Sequence, residues 1–199
     1  MYEYTDKIIR YLNKRFIRIF GNAKGITSFD ALNVIQYSHS MYAELEKLTE
    51  ETLLLLAKQI YKDNVKLART DIAMAWLLGL LSQYDPITKY VYSNEVERKC
   101  SRFAESVIAS NTKVKEIETA LRLWSAMTTQ YAIEVTDAAC KQAYVDDGVE
   151  KVIWMTVEDE RRCSECMKRE GKIYDIAKVP PKPHIRCRCY LLPYFGRED

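Results

Sequence analysis

Four of the chain's six cysteines and one of its two histidines fall between residues 163 and 189. They stand as Cys163-Ser-Glu-Cys166 and, after 17 intervening residues, as His184-Ile-Arg-Cys187-Arg-Cys189. Tetrahedral zinc needs four nitrogen or sulfur ligands at about 2.0–2.3 Å, and C-x2-C delivers two of them from one tight turn. Cys163 and Cys166 suit that role. His184, Cys187 and Cys189 offer three donors for the remaining two places. His184 and Cys187 can share a turn. Cys187 and Cys189 share a face if their segment is extended. The fourth ligand is therefore Cys187 or Cys189, and spacing does not choose between them. Pro180, Pro181 and Pro183 stiffen the approach to this second half-site and leave it little entropy to lose.

The rival readings of the cluster are two disulfides and unmetallated thiols. The start, Met1-Tyr-Glu-Tyr-Thr-Asp6, lacks the apolar core of a signal peptide. The longest apolar run, Ile72 to Leu81, is about half a membrane span. The sequence thus predicts neither secretion nor a membrane segment. In a reducing cytoplasm clustered cysteines favour metal over disulfides. Catalytic metal patterns are missing: there is no H-x-E of the deaminase type and no H-E-x-x-H. P-loop and G-x-S-x-G patterns are absent too, and six glycines leave little material for a phosphate cradle. Glu158-Asp159-Glu160-Arg161-Arg162 reads as a solvated charge run rather than a two-carboxylate site. The expectation is a structural zinc in a protein that is not an enzyme and takes no small-molecule substrate. Cys100 and Cys140 read as small hydrophobes inside helices. His39 stands alone, without a ligand set.

These donors need elements to position them. The chain has 199 residues, 48% hydrophobic and 29% charged, which is enough to bury a core. A net charge of +2 means that any nucleic-acid role rests on local patches. Asp6 to Phe20 has helical periodicity. Lys7, Arg10, Lys14 and Arg18 share one face, and Ile9, Leu12, Phe16, Ile19 and Phe20 lie opposite. The plain reading of the stripe is a solvated face; the functional one is a surface for phosphate or an acidic partner. Gly21 to Gly25 breaks the pattern, and Thr27 with Asp30 forms a capping box. A second helix follows from about Ser28 to Asp63, with a candidate break at Thr49 to Thr52 because roughly 50 Å is long for a compact domain. A third, Arg69 to Tyr84, stops at Asp85-Pro86. Ile87 to Tyr92 is a β-type run, and Ser93 caps a helix reaching about Ser110. Asn111-Thr112 opens the last helix, to about Tyr144. Its seam of Ile117, Leu121, Trp124, Met127, Tyr131 and Val135 mixes spacings of three and four. Asp146-Asp147-Gly148 ends it. Lys151 to Val157, Lys172 to Tyr174 and Tyr190 to Leu192 are strand candidates. The predicted fold is mostly α: a long-helix body, 1–148, followed by a small zinc-stabilised α+β module, 149–199. Zinc would supply what a module of about 50 residues lacks in core.

The order of these pieces is specific when taken jointly. A long helix leads to Lys151-Val-Ile-Trp154 and Asp159-Glu-Arg-Arg-Cys163-Ser-Glu-Cys166. Gly171-Lys-Ile-Tyr174, Pro181-Lys-Pro-His184-Ile-Arg-Cys187-Arg-Cys189 and Pro193 follow. From about Leu121 to Pro193 this resembles the C-terminal module of the tailed-bacteriophage head-morphogenesis proteins, the Mu F-like minor capsid family. One departure is Val135-Thr136-Asp137, where family members often carry an Arg-Thr-Glu-like signature. The resemblance implies a phage minor head protein acting in head morphogenesis. It places the chain in the host cytoplasm during assembly and then in the head interior of the virion. It implies portal and capsid proteins as partners, and packaged or ejected DNA as a further one. DNA contact would fall to Lys7, Arg10, Lys14 and Arg18, with Arg161, Arg162, Arg186 and Arg188. No enzymatic activity is implied; the module has been likened to ADP-ribosyltransferase folds, but no catalytic Arg/Ser/Glu set accompanies it here. The alternative reading is a cytoplasmic zinc-ribbon protein that binds nucleic acid, and a transferase is the third.

Overall fold

Apolar residues recurring every three or four positions give long helices in the structure, a computed structural model that describes residues 2–23, 31–65, 94–110, 113–157 and 163–196. Helix α1 spans Tyr2–Ala23, α2 Ala31–Asn64, α3 Asn94–Ala109 and α4 Lys113–Asp146. In α1, Leu12, Phe16, Ile19 and Phe20 are buried while Lys7, Arg10, Lys14 and Arg18 face solvent. The helix starts a turn earlier than its periodicity predicts, because Tyr2 and Thr5 are buried as well. It also runs through Gly21 to Ala23 rather than stopping there. Helix α2 is unbroken at Thr49 to Thr52. Both threonines are buried on the stripe that carries Leu45, Leu53 and Leu56, so the packing that holds those leucines also holds the helix across them. The expected capping box at Thr27 and Asp30, the helix from Arg69 to Tyr84 and the run Ile87 to Tyr92 lie outside the described residues.

Helix α4 packs against α1, α2 and α3, and α2 packs against α1 and α3. Two apolar clusters result. The first joins Leu12, Phe16 and Phe20 of α1, Val34, Tyr42 and Leu45 of α2, Cys100 and Phe103 of α3, and Trp124 of α4. Its rings meet edge to face: Tyr42 and Trp124 at 5.5 Å, Phe20 and Phe103 at 6.3 Å. Such pairs add about 0.5–1.5 kcal/mol each beyond the area they bury. The second cluster uses the far halves of α2 and α4, including Leu53, Leu56, Tyr131, Val135 and Tyr144. It continues into Val149 and Val152, with Tyr174, Val179 and Leu191 packed against it.

The turn between helix and sheet is set by Gly148 at φ 73°. Gly148 N–H donates to the Val145 carbonyl at 3.0 Å and Val149 N–H to the Tyr144 carbonyl at 2.9 Å, the paired bonds of a Schellman stop. Strand β1 (Lys151–Met155) then forms the centre of an antiparallel sheet, between β2 (Ile173–Asp175) and β3 (Tyr190–Pro193). Period-two alternation buries Val152 and Trp154 of β1 and turns Lys151, Ile153 and Met155 outward. A six-residue helix, α5 (Ser164–Arg169), lies between β1 and β2 in sequence, and a 3-10 turn follows at Ile176–Lys178. Among the described residues no helix is long and apolar enough to cross a membrane.

Candidate metal centre

Each half-site is built by a local turn. Cys163 is the N-cap of α5, with extended backbone, and its Sγ accepts the Cys166 N–H at 3.3 Å. That bond turns both sulfurs to one side, 3.3 Å apart. At the second half-site Cys187 N–H reaches back to the His184 carbonyl at 3.3 Å. Closing this turn puts Arg186 at φ 59°, in the left-handed region. For a residue with a Cβ that conformation costs roughly 1–2 kcal/mol. The turn is held from outside, since Arg186 N–H donates to Gln130 Oε1 of α4 at 2.7 Å.

The two half-sites converge on Cys166. Its Sγ lies 3.3 Å from Cys163 Sγ, 3.3 Å from His184 Nε2 and 3.6 Å from Cys187 Sγ. The five predicted donors form two triads that share Cys166: Cys163, Cys166 and His184, and Cys166, Cys187 and Cys189. Within each triad the donor atoms lie within 4.8 Å of one another. Tetrahedral zinc with bonds of 2.0–2.3 Å would set ligands about 3.3–3.8 Å apart, and the three contacts of Cys166 come within about half an ångström of such edges, while among the described residues the donors gather as two triads rather than one group of four. His184 Nδ1 is 2.9 Å from the Ile185 carbonyl, which can only accept. Nδ1 therefore donates to that carbonyl, and Nε2 is the ring atom that faces the sulfurs and would ligate a metal. Trp154 packs against Cys166, Cys187 and Cys189, and its indole N–H favours the thiolate form of Cys189 against the effect of burial. The donor chemistry, and the spacing within each triad, suit a soft or borderline divalent cation.

Depth divides the donors. Cys166, Cys187 and Cys189 are buried, Cys163 is half-buried and His184 is exposed. Burial pushes the Cys166 thiol far above its ordinary value and raises that of Cys189 as well. The backbone N–H of Cys166 instead lowers the Cys163 thiol. A coordinating cation deprotonates its thiols, so it would override the effect of burial. All six cysteines are free thiols. Cys100 and Cys140 are buried inside α3 and α4, as their helical setting predicts, and burial pushes the Cys140 thiol up to about 11.

A polar cluster that the sequence did not disclose adjoins the centre. The Tyr2 hydroxyl lies 2.7 Å from Asp137 Oδ1 and 3.1 Å from the Cys189 carbonyl. Lys182 Nζ lies 2.5 Å from Asp137 Oδ2 and donates to the Cys187 carbonyl at 2.9 Å. Thr5 and Thr136 share a buried hydroxyl contact at 2.8 Å. Burial raises the Asp137 carboxyl, against the pull of Lys182 and Tyr2. The one sequence signal here was the Thr136-Asp137 pair, where the chain departs from the pattern it otherwise resembles.

The basic residues are only partly gathered. Lys7, Arg10, Lys14 and Arg18 line one face of α1, with Lys7 held 2.8 Å from Glu3. Arg186 is exposed, and Arg188 pairs with Asp6 at 3.3 Å. Arg161 and Arg162 lie outside the described residues. His39 is exposed on α2, away from the donor set.

A helical scaffold that closes on a small Cys/His-centred sheet is the class of protein defined here. Residues 89–192, a little over half of the chain, match the family model of Phage Mu protein F like protein, and the chain belongs to that family. The match takes in α3, α4 and every candidate metal ligand, and it starts upstream of Leu121, where the sequence pattern first suggests it. Membership fits a phage head protein and an assembly context in the virion or the cytoplasm. No curated protein and no solved structure gave a match.

Proposed function

We propose that the chain is a phage minor head protein that acts in head morphogenesis by binding, not catalysis. The observation that carries this reading is the family match over 89–192, which spans the whole Cys/His centre. On this reading the helical body, 1–148, offers surfaces to portal and capsid proteins, and the module, 149–199, is clasped by zinc. Cys163, Cys166, His184 and Cys187 would hold the ion. Contact with Cys166 does not choose between Cys187 and Cys189, since both sulfurs meet it; Cys187 is preferred because H-x2-C mirrors C-x2-C in using one turn. Cys189 is the rival for that place. Bound zinc would cross-link the Cys163–Cys166 turn to the His184–Cys189 segment. Packaged or ejected DNA is a further partner, met by the exposed stripe Lys7, Arg10, Lys14 and Arg18.

The test is affinity purification of the tagged chain from infected cells. Portal or capsid protein should come with it, and changing the four stripe residues to Glu should weaken association with DNA or portal while leaving the fold intact. Recovery without any head protein, together with tight and salt-steep DNA binding by the isolated chain, would overturn the assembly reading in favour of a nucleic-acid-binding zinc ribbon. That alternative rests on the same exposed stripe. Turnover on incubation with NAD and candidate acceptors would contradict a non-catalytic role.

A further inference from the structure

The first turn of α1 reaches across the whole sequence to touch the metal loop. Tyr2 and Asp137 are 135 positions apart, and Tyr2 and Lys182 are 180 apart. Lys182 Nζ is shared among Asp137 Oδ2 at 2.5 Å, the Tyr2 hydroxyl at 2.5 Å and the Cys187 carbonyl at 2.9 Å. It also sits 5.1 Å from the centre of the Tyr2 ring. The Tyr2 hydroxyl has one proton to give, and the closer acceptor is Asp137 rather than the Cys189 carbonyl. Arg188, between the two cysteines, pairs with Asp6 one turn further along α1. The Cys187 carbonyl is thus held by Lys182, whose ammonium is fixed by Tyr2 of α1 and Asp137 of α4, and the Arg188 side chain ties the same segment to α1.

We infer that Tyr2, Asp137 and Lys182 are positioning residues of the metal centre: Lys182 holds the Cys187 carbonyl, Tyr2 and Asp137 fix the Lys182 ammonium, and metal binding is thereby coupled to the docking of α1. This rests on the reading of the Cys/His cluster as a metal site. Its physical basis is preorganisation. A ligand whose backbone is already fixed loses less freedom when it coordinates, and removing such outer partners weakens metal affinity by roughly 10- to 100-fold. The coupling is reciprocal: whatever α1 adds to metal affinity, metal adds to the docking of α1. A purely structural ion pair would stabilise the fold equally with and without metal. The consequence is that metal occupancy governs how firmly the helix bearing the basic stripe is held.

The test is a zinc titration of the full chain against a chromophoric chelator. Tyr2→Phe removes only a hydroxyl, and Lys182→Met removes the shared cation. Each should bind zinc roughly 10- to 100-fold more weakly than wild type. Tyr11→Phe, at a tyrosine 48% exposed on the same helix, should match wild type. Stripping zinc should speed hydrogen exchange in the first two turns of α1 and leave the centre of α2 unchanged. Wild-type affinity in both Tyr2→Phe and Lys182→Met overturns the inference and leaves the metal reading standing. A wild-type chain that takes up no zinc sinks the metal reading and the coupling together. Should Lys182→Met fail to fold, Tyr2→Phe decides the matter alone.

Discussion

Around Trp124 the chain buries ring against ring, whereas around Cys166 it buries sulfur against sulfur. The helical cluster draws on four helices and on side chains that are large and apolar: Phe16, Phe20, Tyr42, Phe103 and Trp124. The C-terminal cluster has one large ring, Trp154, and three cysteines at its buried heart. Its strands are five, three and four residues long. Area burial stabilises the first region through many small contributions, so losing one contact leaves the rest. The second depends on a few donors meeting at one point, so losing the shared donor removes the point itself. The difference predicts where each region is fragile.

The largest effect should follow from Cys166→Ser, because this residue belongs to both donor triads. Metal binding should be lost, and hydrogen-exchange protection should disappear across β1 to β3 while α2 and the first half of α4 keep theirs. Cys163→Ser breaks one triad only and should act in the same direction but less severely. Equal loss of protection in the helices would erase the contrast between the two regions. Next in size is Trp124→Ala, which should cost about 3–5 kcal/mol of stability in urea unfolding. Metal content should not change, and a metal-depleted Trp124→Ala protein would show that the two regions are not separable in this way. The smallest effect should come from Arg186→Gly. Glycine tolerates the left-handed conformation at this turn, so stability should stay level or rise by about 1 kcal/mol. A clear loss in thermal unfolding would mean that the Arg186 side chain supports the turn.

Much of this contrast is legible in the residues themselves. The three- and four-residue spacing of Leu12, Phe16 and Ile19, and of Ile117, Leu121 and Trp124, reports helices because buried side chains must recur once per turn. C-x2-C and H-x2-C report half-sites because each pair needs a single turn. What stayed hidden depends on contacts distant in sequence. Tyr2 and Thr5 read as a polar start to the chain, yet their partners are Asp137 and Thr136. The unbroken course of α2 through Thr49 and Thr52 depends on neighbours that bury those threonines, which local propensity does not record. The same holds for Cys166 as the shared donor. Spacing names five donors, but only the crossing of α5 with the His184–Cys187 turn shows which one stands between the rest.

Metal analysis of protein purified without added chelator decides whether the Cys/His cluster is a clasp closed by metal. About one zinc per chain is expected, as a single four-ligand site requires, with protection of the β1–β3 region lost when a chelator removes it. A chain that holds no metal and still protects residues 151–193 would contradict the metal clasp.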